Sequence, residues 1–210
     1  MKKYELTSET KVINGLELHR IKAIESFGSV GKGDWGGWIE SEKNLSQRGD
    51  AWVCRHAIVY DNARVYDNAM ISGNAVVCGN AVVCGNAVVR RDAVVNENAT
   101  VCENATVCEN ATVRGNATVD GNARISGNAE VSGNAVVGES ADYIVFKNWW
   151  SSERYFTWTR SNNKWKVGCF YGSGEELITK AYKDSEKSGR EYERVVKYVE
   201  SIMEEENNNQ

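Results

Sequence analysis

Asn62-Ala63-Arg64-Val65-Tyr66-Asp67-Asn68-Ala69-Met70-Ile71-Ser72-Gly73-Asn74-Ala75-Val76-Val77-Cys78-Gly79 is three copies of one six-residue unit, and the rest of the chain is organised around it. Working outward, alanine occupies every sixth position from Ala51 to Ala141, sixteen times without a miss. Val or Ile stands two residues after each Ala from Val53 to Val137, and Asn precedes Ala in twelve units, as at Asn62, Asn80 and Asn134. A fixed internal period is the mark of a repeat architecture. Residues two apart on a short strand point to the same side, so Ala and Val make one small apolar side while the residue between them points away. One unit cannot bury that side. Units must therefore wind into coils whose Ala and Val stack on those of the next coil. Asn and the Gly or Glu before it then fall at corners, where Asn tolerates left-handed angles and can join ladders between coils.

The totals agree with such a body. The chain has 210 residues, a net charge of -4 and no proline, which suits continuous strand and tight turn because a missing N–H would break a ladder. No run of 18 apolar residues points to a membrane span, and the charge does not favour a nucleic-acid polymer. Met1 to Thr7 lacks the apolar stretch of a secretion signal, so a cytoplasmic location is expected, with the six cysteines reduced.

The repeat at 51–142 resembles the left-handed β-helix of the hexapeptide-repeat proteins, in which three units make one triangular coil. Left-handedness is implied by that resemblance alone, since parallel crossovers are otherwise right-handed and a right-handed solenoid is the alternative. Fifteen Val/Ile positions then make about five coils, a prism about 24 Å tall at strand spacing. Residues 18 apart stack, so the outward columns read Trp52, Met70, Val88, Thr106, Arg124; then Ile58, Val76, Val94, Thr112, Glu130; then Arg64, Val82, Thr100, Thr118, Val136. Apolar residues fill the first three coils of two columns, more than a monomer normally exposes. The resemblance implies a trimer packed side by side, so a homotrimer is expected. Thr100, Thr106, Thr112 and Thr118 make no ice-binding array, because only Thr100 and Thr118 share a face. Cys84 and Cys102 stack one coil apart without a third sulfur or a histidine in their column, so no metal and no cofactor is expected.

Many hexapeptide-repeat proteins are acyltransferases that use a histidine as general base. Here His56 replaces a corner Asn, His19 reads as an ordinary exposed strand residue, and no loop interrupts 51–142 to wall a donor site. An acyltransferase using His56 is thus the alternative, and a structural or protein-binding module is another.

The two ends differ from the repeat. Residues 1–50 form a β cap, with Lys11-Val12-Ile13 and Leu16-Glu17-Leu18 flanking Asn14-Gly15, a type I′ hairpin signal, and a loop from Gly31 to Gly37 leading to Trp38-Ile39. Residues 143–206 form an α+β module. Between Tyr143 and Phe170 five basic residues face one acid, among Trp149, Trp150, Tyr155, Phe156, Trp158 and Trp165, in a hairpin turning at Ser161-Asn162-Asn163. Rings that stack and cations that meet phosphate suit a nucleotide-like ligand, whereas an aromatic plug closing the solenoid is the purely structural reading. Two helices follow, with capping boxes at Ser173/Glu176 and Ser188/Glu191, and the second carries a stripe of Tyr192, Val195, Val196, Val199, Ile202 and Met203 for packing or oligomer contact. The end is expected to be loose from Glu204 on, with 207–210 outside the module.

Gly33-Asp34-Trp35-Gly36-Gly37-Trp38-Ile39, the Asn-Ala repeat and Trp165-Lys166-Val167-Gly168-Cys169-Phe170-Tyr171-Gly172 together resemble hexapeptide-repeat proteins of phages and prophages. Small phage oligomers of that sort include proteins that sequester nucleotide signals of host immunity. The resemblance therefore implies a non-catalytic sponge in the host bacterial cytoplasm. Arg154, Arg160 and Lys166 are expected to meet phosphates, and Trp149, Trp150, Trp158 and Tyr171 to stack.

Overall fold

The computed structural model, which describes residues 2–208, is a mainly β parallel solenoid of about six turns carrying an antiparallel sheet and two helices at its C-terminal end. Strands β1 (Tyr4–Ile13), β2 (Leu16–Ala23) and β3 (Trp35–Ile39) precede fifteen two-residue strands, β4 (Trp52–Val53) through β18 (Val136–Val137), one per six-residue unit. Every third strand pairs in parallel, giving three sheets. In the middle of each strand pair Ala and Val point inward and are fully buried, as Ala93 and Val95 are at 0% exposure. The outward columns run as expected, with Trp52 beside Met70, Ile58 beside Val76 and Arg64 beside Val82. Six turns rather than five arise because Trp38-Ile39 pairs with Ile58-Val59 and Leu45 bridges Val65, so the N-terminal segment supplies a coil of its own.

The corners divide their labour differently from expectation. The left-handed residue is the one before Asn: glycine in many coils, and Asp61, Asp67, Glu97, Glu103 and Glu109 with φ of 55° to 64° in others. An L-residue is strained there. The acid offsets this because its carboxylate accepts from the glycine N–H one coil on, as from Gly79 to Asp61 at 3.1 Å and from Gly115 to Glu97 at 2.8 Å. Asn is free to build ladders: Asn62, Asn80, Asn98, Asn116 and Asn134 are linked amide to amide at 2.9–3.2 Å.

Backbone polarity sets what each end needs. Parallel strands donate and accept alternately along each edge, as where Trp52 N donates to Ala69 O at 3.0 Å, so each open end of the column leaves both N–H and C=O groups to be met. At the first end Lys3 Nζ donates to Gly49 O (2.9 Å) and Ala51 O (2.8 Å), and the Tyr4 hydroxyl to Leu45 O (2.7 Å). Phe27 and Tyr4 cover Trp52, which is 4% exposed and so is removed from the apolar outer column to which its spacing assigns it. At the last end hydroxyls and a carboxylate accept: Ser140 from Arg124 N, Thr157 from Glu130 N, Ser161 from Val136 N, and Asp142 from Gly138 N.

The C-terminal sheet is β19 (Tyr143–Lys147), β20 (Tyr155–Thr159), β21 (Lys164–Val167) and β22 (Phe170–Gly172), all antiparallel, followed by α1 (Gly174–Asp184) and α2 (Glu186–Asn208). The Ser173/Glu176 capping box forms. The one at Ser188/Glu191 does not: α2 starts earlier, Ser185 Oγ accepts from Ser188 N, and Ser188 lies buried in the first turn. Tyr192, Val196 and Val199 pack on Phe156, Trp158 and Trp165, so the stripe of α2 is internal packing. The helix continues to Asn208, and Glu206 pairs with Arg160 at 2.5 Å, because that cation holds the last turn against the sheet. Asn209 and Gln210 of the expected tail lie outside the described residues.

Candidate functional site

The seven residues expected to bind a ligand are separated by the sheet. Trp158 is a core residue, 1% exposed, with Nε1 donating to Asn163 Oδ1 at 2.8 Å. Alternation places it and Trp165 on the helix side, where the apolar stripe of α2 requires large partners. Lys166 is buried beside Glu130 at 3.5 Å, with its Nζ donating to Gly168 O. Tyr171 receives a hydrogen bond from Asn162 Nδ2 at 3.1 Å, and its hydroxyl lies against Gly133 of the solenoid. Lys166 and Tyr171 join the module to the column, whereas Trp158 belongs to the module's own core.

Arg160 borders a hollow of about 340 Å³ between β20, β21 and α2. Glu200 and Glu204 line the same hollow, and Arg160 itself is held by Glu206 and Asp142. Those carboxylates raise the Arg160 pKa, the Glu206 hydrogen bond foremost. The balance is acidic, the wrong sign for a phosphate.

A second cleft, of about 270 Å³, lies between the loop 148–154, the β21–β22 turn and the two helices. Arg154 and Lys180 both border it, and among the described residues neither belongs to an ion pair. Arg154 reaches inward over Gly168, where a β-carbon would stand 3.1 Å from its Nη1. Lys180 lies 5.7 Å from the Phe170 ring centroid. Asn148 forms the floor: its Nδ2 donates to the Tyr192 hydroxyl at 3.0 Å and its Oδ1 accepts from Ser151 N at 3.0 Å. Burial pushes the Tyr192 hydroxyl pKa up, while the Asn148 bond and the nearby Arg154 charge act against that rise. Trp150 stacks edge-on against Tyr192 at 5.2 Å, and Trp149 stands beside it, 73% exposed.

Of the seven, Arg154 alone lines this cleft; Trp150 packs on Tyr192 with Trp149 beside it, and Trp158, Arg160, Lys166 and Tyr171 lie elsewhere. Lys180, Phe170 and Asn148 belong to the cleft and were not among the expected site residues. Lys180 carried a weak signal, being two turns beyond the Ser173 cap and beside the face of α1 that holds Leu177 and Ala181 to the sheet. His56 lies in an exposed turn of the first full coil, beside the other end of the column. No described helix is long and apolar enough to cross a membrane.

The family described as the YdcK beta solenoid repeat matches residues 63–79 and 123–139, two stretches of the coil body. This similarity and the three parallel sheets identify a β-helix protein. A comparison with curated proteins finds no match.

Proposed function

We propose that the protein is a non-catalytic scaffold that holds a small anionic ligand with a planar ring, of the nucleotide class, in the cleft beneath Arg154 and Lys180. The observation that carries this reading is the convergence of two cations, without ion-pair partners among the described residues, on one opening that also presents Phe170; the exposed Trp149 lies on the same loop as the lining residues Asn148, Ser151 and Arg154. Arg and Lys there meet phosphate oxygens by charge-assisted hydrogen bonds, and Trp149 supplies the stacking face. Asp184 at the same cleft is placed to accept from a sugar hydroxyl.

Holding rather than turnover is supported by where the histidines are. His19 lies on β2 and His56 in the first full coil, so about four coil spacings, roughly 19 Å, separate His56 from the last coil. The phage and prophage resemblance makes a nucleotide immune signal the natural ligand and the host cytoplasm the natural setting. In the same reading the coils are of the left-handed hexapeptide-repeat kind, and three chains associate through the half-exposed columns at Ile58, Val76 and Val94 and at Met70 and Val88.

Calorimetric titration with mono-, di- and cyclic nucleotides tests the reading. Arg154→Ala removes charge-assisted bonds worth about 1.5–3 kcal/mol, so affinity falls at least tenfold, whereas Arg160→Ala leaves it unchanged. Ligand released by heat denaturation is recovered intact. Altered ligand means an enzyme, and no binding by any nucleotide leaves the structural module as the surviving reading.

A further inference from the structure

At the opposite end of the column two sulfur atoms meet in a second depression. Strand β4 pairs with β7 (Met70–Ile71), and Cys54 directly follows β4. Its Sγ donates to Met70 Sδ at 3.4 Å. The pair opens into a hollow of about 340 Å³ whose walls include Asp34, Trp35, Trp52 and Arg55. Asp34 is already engaged, its Oδ2 accepting from Gly31 N at 2.8 Å, so it is not a free ligand, and its charge is balanced by Arg55 in the same wall.

A thiol and a thioether are soft donors, and they select soft, low-coordinate ions over Mg²⁺, Ca²⁺ or Mn²⁺. Structural zinc requires four protein ligands, and among the described residues no three His, Cys, Asp or Glu side chains come together. We propose that Cys54 and Met70 form a binding site for a soft monovalent d10 cation of the Cu(I) class, which replaces the thiol proton now shared between the two sulfurs.

Geometry allows this with little movement. At a metal–sulfur bond of about 2.3 Å, the present separation subtends about 95° at the metal, and a trigonal angle of 120° needs roughly 4.0 Å between sulfurs. The difference of about 0.6 Å is within reach of methionine, which has three rotatable bonds. The third position faces the open hollow and takes a ligand from solution, such as a small thiol. The bond formed is Cu–S to each sulfur, the bond broken is S–H of Cys54, and the proton passes to solvent with no change of oxidation state. Burial keeps the Cys54 thiol above its ordinary pKa, so the free protein holds that proton until the ion displaces it.

Anaerobic titration of the full chain with Cu(I) supplied as its bicinchoninate complex tests the site. Wild type is expected to withdraw one equivalent at this site, releasing a proton and quenching fluorescence from Trp52 and Trp35. Cys54→Ser abolishes that equivalent. Met70→Leu, which keeps volume and removes only the donor, weakens it at least tenfold. Serine already stands at the matching corners Ser72 and Ser126, so Cys54→Ser is compatible with the coil. Cys84→Ser combined with Cys102→Ser retains wild-type uptake. Folding is checked by thermal unfolding, in which Cu(I) raises the midpoint of wild type and not of Cys54→Ser. Wild-type uptake by both Cys54→Ser and Met70→Leu, or its loss in the Cys84/Cys102 variant alone, overturns the proposal.

Discussion

Replacing Thr157 by Val probes how the solenoid is closed. The hydroxyl of Thr157 accepts from Glu130 N at 2.9 Å, taking the part that Ala129 O plays for Thr112 N one coil below, also at 2.9 Å. Thr157 is 1% exposed, so water has no access to replace it. Thr157→Val preserves volume and β-branching and removes only the acceptor. A buried N–H left without a partner costs about 1–3 kcal/mol, and a value near 2 kcal/mol lowers the folded-to-unfolded ratio roughly 30-fold. Ser161→Ala is the matched control: Ser161 accepts from Val136 N at 2.8 Å but is exposed, so water substitutes and the loss stays under about 0.5 kcal/mol. Urea unfolding measures both losses, with the m-value unchanged. Because a solenoid and its terminal module need not unfold together, amide exchange at Glu130 serves as the local readout. Equal losses in the two variants, with Glu130 protection intact, would refute the idea that buried hydroxyls close the last coil.

Three further outcomes are expected. Burial lowers the Lys3 ammonium from its ordinary value to about 8, with the Asp50 charge opposing. Between that pH and about 10 the unfolded chain holds a proton that the folded chain has released, so stability rises with pH across this window, and Lys3→Met flattens the slope in urea unfolding at pH 7, 8.5 and 10. Gly79→Ala and Gly127→Ala both force alanine into φ near 68°, worth about 1–2 kcal/mol, but only at Gly79 does the new carbon meet backbone, 2.9 Å from Glu97 N; Gly127 has nothing nearer than a carboxylate oxygen at 4.0 Å. Thermal unfolding should place Gly79→Ala well below Gly127→Ala, and equal midpoints would show that strain alone decides. His56→Asn restores the residue type of its ladder beside Asn74, so the thermal midpoint holds or rises slightly and nucleotide binding is unaffected; lost activity of any kind would return His56 to the centre of the question.

What the sequence disclosed divides by the range of the interaction. The coil body was legible because its period is local: Ala and Val two apart are buried whatever surrounds them, and residues 18 apart stack with no further information. The hairpin at Asn14-Gly15 and the cap at Ser173 were legible for the same reason, with φ of 51° and 81° at the first and a complete capping box at the second. The ligand site was not. Counting rings and cations over 143–170 could not tell which side of a sheet each occupies. Trp158 and Trp165 serve a helix that begins 21 residues after Trp165, and Arg160 is neutralised by Glu206, 46 residues on. Lys180 and Asn148 join Arg154 only through helix packing, which no local pattern encodes.

The caps point to a rule that a sequence could reveal in advance. A parallel coil donates and accepts alternately along each strand, so each open end exposes N–H and C=O groups together and its cap must supply both acceptors and donors at fixed places. At the first end Lys3, Tyr4 and Asn44 donate to carbonyls, Asn44 Nδ2 reaching Asp61 O at 3.0 Å and Ala63 O at 2.9 Å, while the Glu40 carboxylate accepts from Asp61 N at 2.7 Å. At the last end Ser140, Asp142, Thr157 and Ser161 accept from N–H groups, and the Tyr143 hydroxyl donates to Arg124 O at 2.8 Å. The hydroxyls of 157 and 161 therefore explain why the aromatic hairpin sits where it does: its strand β20 is registered by hydrogen bonds to the last coil, and that register turns Trp158 inward and leaves Arg154, at the strand's other end, to face the open cleft.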